Sequence, residues 1–234
     1  MKYTLLSIFT LIILAISFYP QKELISKENG SPGAQTNSLI DGQNCTSCHS
    51  GSINSGSGTT SITTNIPSGG YISGNTYTIT TTVAQTGINK FGFELTAEDL
   101  SVKQGTFFIT NATETKFASG TSNTGVTHKQ AGTSGTNTKS WDCDWEAPAS
   151  GAGDITFYAA TLAANANGNN IGDQVYTNSI MVSELIANPG CTDSLALNYN
   201  PLATIDDGSC TYQITIVPDD HFETYLEANG MGDG

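Results

Sequence analysis

Positive charge is what this chain has least of. Its 234 residues include 8 Lys plus Arg against 21 Asp plus Glu, and charged residues of either sign make up only 12%. A chain so poor in cations is a poor partner for nucleic acid or an anionic membrane surface, because both are held by Lys and Arg. Familiar catalytic signatures are missing too. There is no G-x-S-x-G elbow, no H-E-x-x-H, and no glycine-rich loop between a strand and a helix. Long apolar runs are absent after the first twenty residues. The single run, from Leu5 to Ile16, follows Lys2 and precedes Pro20 and Lys22. It is short for a span of ~20 residues and fits a secretory signal over residues 1–20. The mature chain is therefore expected to be secreted or at the cell surface, extracytoplasmic, and not an integral membrane protein. No cysteine follows the signal closely, so a lipoprotein anchor is not expected.

What the chain does have is Gly, Ser, Thr and Asn interspersed with Val, Ile, Tyr and Phe, the mixture of an all-β module rich in turns. Residues 21–58 are polar and Gly/Ser-rich and read as a linker arm. Residues 59–185 read as the main domain. Tyr77, Ile79, Thr81 and Val83 alternate with threonines over 76–84, the period of two of a half-buried strand. Phe91, Phe93 and Leu95 repeat the pattern after the Gln85-Thr86-Gly87 turn. Trp141, Cys143 and Trp145 share one face of a strand that Pro148 ends. Ile155, Phe157 and Ala159 follow, and Val175 to Val182 gives a last strand. No helical period appears here, and turn signals at these intervals predict an antiparallel two-sheet sandwich.

Cys45-Thr46-Ser47-Cys48-His49 stands out in a chain with only five cysteines and three histidines. C-x-x-C-H is the spacing at which two thiols capture the haem vinyl groups while the adjacent imidazole ligates iron. Cys45 and Cys48 are then the thioether residues of a covalent haem c, and His49 is the proximal ligand. His128, in the loop Gly125-Val126-Thr127-His128-Lys129, is the candidate for the sixth position. Met181 is a second choice whose alternating strand suits the core better. Bis-histidine ligation would favour electron transfer at low potential, and an empty sixth site small-ligand chemistry. Trp141, Trp145, Phe157 and Tyr158 could line a haem edge, but suit a sandwich core better. Cys143, between two tryptophans, reads as a buried, inert thiol. Three competing readings stand beside haem: a structural Cys45–Cys48 disulfide, a disulfide from Cys143 to either of them, and a zinc site from Cys45, Cys48, His49 and His128. The adjacency of Cys48 and His49 is awkward for one tetrahedral ion.

Residues 190–211 form a separate unit, bounded by Cys191 and Cys210, with too little apolar content to fold by core burial. A Cys191–Cys210 disulfide is expected, contributing ~3 kcal/mol by restricting the unfolded chain. Asp193, Asn198, Asn200, Asp206 and Asp207 offer clustered oxygens suited to calcium, although Asx residues also build turns. In residues 212–234, Tyr212 to Val217 alternates like a strand. A helix follows, capped by Asp219 or Asp220, with Phe222, Tyr225 and Leu226 on one face and Gly230 as its stop. His221 reads as an exposed helix residue. With nothing left for that face to pack on, a truncated C-terminal region is expected.

Three passages carry a resemblance. They are Ser31-Pro32-Gly33-Ala34 through Cys45 to Gly51; Thr127-His128 with Trp141-Asp142-Cys143-Asp144-Trp145-Glu146-Ala147-Pro148; and Gly153 to Ala160 with Asn165, Gly168, Gly172-Asp173 and Tyr176. Together, over about residues 31–185, they resemble the reeler-like "choice-of-anchor V" domain of secreted proteins from Bacteroidetes-type bacteria. The resemblance implies an immunoglobulin-like β-sandwich, exported and held at the surface by interchangeable C-terminal anchors. The Cys191–Cys210 unit is similar to short Cys-bounded, Asp/Asn-rich repeats in such proteins. Val217-Pro218-Asp219-Asp220-His221-Phe222-Glu223 looks like the start of a leucine-rich-repeat region. Two functions follow as expectations. The first is a surface c-type haem protein for electron transfer or small-ligand sensing, with an unidentified redox or surface partner. The second is a non-catalytic adhesion or display module in which Cys45–Cys48 is a structural disulfide.

Overall fold

The computed structural model describes residues 27–213 and 220–231. The expected signal peptide, most of the expected strand from Tyr212 to Val217, and the proposed Asp219 cap lie outside them. The elements of the sandwich are β1 (Thr59–Thr64), β2 (Thr76–Ala84), β3 (Lys90–Glu98), β4 (Thr106–Phe108), β5 (Thr115–Phe117), β6 (Gly125–His128), β7 (Thr138–Glu146), β8 (Ile155–Ala164) and β9 (Gln174–Val182). A four-stranded sheet runs β1-β2-β7-β4 and a five-stranded sheet β5-β6-β3-β8-β9, with every pairing antiparallel. An all-β sandwich is what alternating apolar residues and frequent turns demand. Each strand has one apolar face, and two such faces bury each other.

The core is aromatic and bridges the sheets. Phe93 on β3 stacks on Trp141 of β7 with ring centroids 4.4 Å apart, and Trp145 of β7 meets Phe157 of β8 edge-on at 4.9 Å. Trp145 donates its indole N–H to the Gln104 carbonyl at 3.1 Å. Beside it Gly105 has φ +70°, and a Cβ there would lie 2.3 Å from Trp145 Nε1, so only glycine fits. Trp141, Trp145 and Phe157 are thus sandwich core and not the edge of a ligand site. Cys143 lies among them, a free thiol whose Sγ faces the Ile79 carbonyl. Burial and the flanking Asp144 and Asp142 push that thiol far above its usual range. Met181 corrects the reading of its strand: it points outward from β9 and is 64% exposed.

The larger correction concerns the arm. Residues 27–58 have the composition of a free linker but lie against the outer face of the five-stranded sheet. Every residue of β3 from Phe91 to Glu98 is buried, on both faces. Phe91, Phe93, Leu95 and Ala97 belong to the core. Of the alternate residues, Glu94 and Glu98 meet the arm, and Gly92 lies under the His128 ring. Ser38 Oγ donates to Glu98 Oε1 at 2.5 Å, the Ile40 N–H donates to Glu98 Oε2 at 3.2 Å, and the Gln35 N–H reaches Glu94 Oε1 at 3.4 Å. Lys103 bonds Asp41 of the arm at 2.7 Å and stands 3.8 Å from Glu98. A buried carboxylate needs such donors to replace water, and the arm supplies them to both oxygens of Glu98.

Beyond the sandwich, Cys191 and Cys210 form the expected disulfide, with β10 (Pro189–Gly190) and β11 (Ile205–Asp206) pairing in parallel. Each proposed calcium ligand has a hydrogen bond inside this unit. Asp193 accepts from the Leu195 N–H and the Tyr212 hydroxyl, and Asn198 accepts from the Thr211 N–H. Asn200, Asp206 and Asp207 accept from the N–H groups of Leu202, Gly208 and Ser209. These are the turn-building contacts of Asx residues. Helix α1 (Asp220–Ala228) forms as its pattern predicts, followed by Gly230 at φ +69°.

Candidate functional site

The C-x-x-C-H segment folds as a single helical turn. Cys45–Ser47 is 3-10, capped by Asn44, whose side chain accepts the Thr46 N–H at 2.9 Å. The His49 N–H then donates to the Cys45 carbonyl at 2.9 Å. Positions i, i+3 and i+4 of a turn share one side, so Cys45, Cys48 and His49 face together. What they face is a cavity of about 880 Å³, inside the ~300–1,000 Å³ range of small-molecule sites. His128 lines the same cavity. Residues 79 positions apart in the sequence are therefore brought to one space, as the haem reading expects.

The floor of the cavity is the outer face of β3 and β8. Gly92 pairs across with Leu162, and Lys90 with Ala164. The small and apolar side chains here leave room that the larger residues further along the same face would fill. One wall is the loop from Asn165 to Asp173, which grips the arm. The Asn170 amide donates to the Cys48 carbonyl and the Ser50 N–H donates to the Asn170 carbonyl. Asp173, 3% exposed, accepts the Asn165 N–H at one oxygen and lies 2.7 Å from His49 Nδ1 at the other. A carboxylate only accepts, so Nδ1 carries a proton, which in the neutral ring leaves the Nε2 lone pair for a metal. This carboxylate–histidine pairing is the arrangement that orients and strengthens metal-binding imidazoles.

Cys45 and Cys48 are both free thiols. Burial and the nearby Glu94 carboxylate push the Cys45 thiol up to about 12. Glu94 is itself raised by burial, and its Oε2 has no hydrogen-bond partner. Cys143 lies in the core between the sheets, whereas Cys45 and Cys48 lie outside the five-stranded sheet. A disulfide from Cys143 to either is sterically closed. Sequence reasoning missed Asp173, Asn170 and Gly92. Gly172-Asp173 was a signal, since an acidic residue closing an Asn-rich loop has few structural reasons to be buried.

The fold agrees with a comparison against known families, in which the Reeler domain model matches residues 43–167. The chain belongs to the Reeler domain family. The match begins at Gln43, just before the two thiols, so the arm's last part is within the matched region. Reeler domains are extracellular, non-catalytic modules. Among solved structures, the chain is similar to the human F-spondin reeler domain, at 20% identity over 53% of this chain and 88% of that one, with a TM-score of 0.40. The Reelin-N domain of F-spondin gives 22% identity over 53% and 85%, with a TM-score of 0.41. No curated protein matches the chain. Among the described residues of this Reeler protein, no helix is long and apolar enough to cross a membrane, and no three His, Cys, Asp or Glu side chains are grouped to hold a metal ion.

Proposed function

We propose that this Reeler protein is an exported c-type haem protein, with the porphyrin bonded to Cys45 and Cys48 and lying between the arm and the outer face of β3 and β8. One observation carries the reading. Both thiols and the His49 imidazole line a single cavity, and Asp173 holds that imidazole with Nε2 available. A structural C-x-x-C needs neither the cavity nor the aspartate.

The residues fit the group in chemistry as well as in space. Bound haem supplies an iron centre that accepts and releases one electron or takes a small ligand. Cys45 and Cys48 would hold it by thioether bonds, each S–H adding across a vinyl C=C with no oxidant consumed. His49 would supply a nitrogen to the iron, and Asp173 would make it a stronger donor, which favours the oxidised metal. Gly92, Leu162 and Ala164 present a floor without polar groups and keep water from that side.

Expression through the secretory route beside a haem-attachment system tests the proposal. A covalent haem band that survives denaturation, and that falls to background in Cys48→Ser, is the expected result. A colourless protein from a competent host overturns it. A mass two hydrogens below the reduced chain, mapped to Cys45 and Cys48, would then identify the display-module alternative.

A further inference from the structure

We infer that His128 does not ligate the iron, and that the sixth position is left to a small exogenous ligand. This rests on the haem reading and decides between its two branches, small-ligand binding over bis-histidine electron transfer.

The argument begins with where β6 ends. Its ladder with β3 runs Thr96↔Gly125, Leu95↔Val126 and Glu94↔Thr127, and stops there. The next group on β3, the Phe93 N–H, would be left without a strand partner. The His128 side chain takes that place: the Phe93 N–H donates to His128 Nδ1 at 3.0 Å. A backbone N–H can only donate, so Nδ1 is the unprotonated nitrogen. The Phe93 carbonyl also lies 3.2 Å from Nδ1, but it already accepts the Thr127 hydroxyl at 2.6 Å. Protonating Nδ1 to reach that carbonyl would set two donors against each other at 3.0 Å. In the neutral ring the proton therefore sits on Nε2. Burial of the ring lowers its pKa and keeps it neutral. A nitrogen that carries a proton has no lone pair for iron.

Turning the ring is obstructed as well. It lies on Gly92, where even a Cβ would come within 2.8 Å of His128 Cε1. His128 thus completes a strand ladder through Nδ1, while His49, held through Nδ1 by Asp173, takes the opposite tautomer in its neutral form. Among the described residues no methionine lines the cavity, and Lys90 is held by Thr133 and Ser134. A porphyrin would take up much of a cavity of about 880 Å³, so a further ligand would have to be small, of the size of cyanide or a diatomic gas.

Two measurements test this. Nitrogen NMR of the haem-free chain should show His128 protonated at Nε2 and bare at Nδ1. The reverse tautomer overturns the inference. In the haem-loaded protein, the ferric form should bind cyanide and the ferrous form carbon monoxide. His128→Asn, whose amide oxygen can still accept the Phe93 N–H, should change cyanide affinity by less than about threefold. If His128 were a ligand, its removal would raise that affinity by roughly a hundredfold, because a competing internal ligand lowers the binding-competent fraction. A low-spin ferric protein that ignores cyanide until His128 is replaced sinks the inference and leaves haem attachment standing. A protein that never acquires haem sinks both.

Discussion

The two sheets turn outer faces of similar composition to quite different surroundings. On the four-stranded sheet, Thr78, Thr80 and Thr82 of β2 pair across to Asp144, Asp142 and Ser140 of β7 through side-chain hydrogen bonds of 2.7–2.9 Å. Asp142 and Ser140 are solvent-exposed. On the five-stranded sheet, Glu94, Thr96 and Glu98 are fully buried, both glutamates meeting the arm, and Gly92 opens a cavity. Polar residues at alternate positions satisfy the same strand pattern in both cases. The difference lies in the donors that arrive from elsewhere in the chain. A threonine–aspartate ladder is complete within its sheet, whereas an isolated glutamate on a strand waits for a partner, and the arm provides it.

The strongest way to break that comparison is to remove a carboxylate from each face. Glu98→Ala leaves the Ser38 hydroxyl and the Ile40 N–H buried without an acceptor and should cost about 3 kcal/mol in chemical denaturation. Asp142→Ala on the other face should cost under about 0.5 kcal/mol, as water replaces the lost bond. Equal effects would mean that the arm is not docked. Next in size is Gly92→Val. Its side chain would collide with His128 and fill the floor, costing about 2 kcal/mol and abolishing haem retention, while secondary structure by circular dichroism stays intact.

The smallest effect is on pH dependence. Burial raises the pKa of both Glu94 and Glu98 despite the donors around them, with Asp41 raising and Lys103 lowering each, and Cys45 beside Glu94. A carboxyl raised in the folded state binds its proton more tightly there than in the unfolded chain. Its contribution is therefore complete below the ordinary glutamate range and is lost as pH climbs through the raised value. Thermal midpoints should fall as pH rises from the ordinary glutamate range through those raised values, and Glu94→Gln with Glu98→Gln should flatten that slope. A slope unchanged by both substitutions would assign it elsewhere.

The sandwich was largely legible because period-two alternation is a local signal. Thr76–Ala84 emerges with the bounds its threonines suggested, and the apolar faces of β3, β7 and β8 fall where their aromatics placed them. The short strands β4, β5 and β6 were not, since three or four residues cannot display a period. The arm was misread for a different reason. Gly, Ser and Asn signal flexibility only when nothing holds them, and what holds them here are carboxylates about 60 residues away. Cys45, Cys48 and His49 were singled out by spacing alone, and they line one cavity. Asp173, 124 residues from its histidine, and the tautomer of His128 belong to tertiary structure.

The half-buried Cys45 has a consequence for biogenesis. With the arm on the sheet, burial and the Glu94 carboxylate hold its thiol protonated, up to about 12, and a protonated thiol is a poor nucleophile. If haem is attached as proposed, the faster order is attachment before the arm docks. A variant whose arm docks slowly should then carry more haem, because folding and cofactor supply compete for the same cysteine.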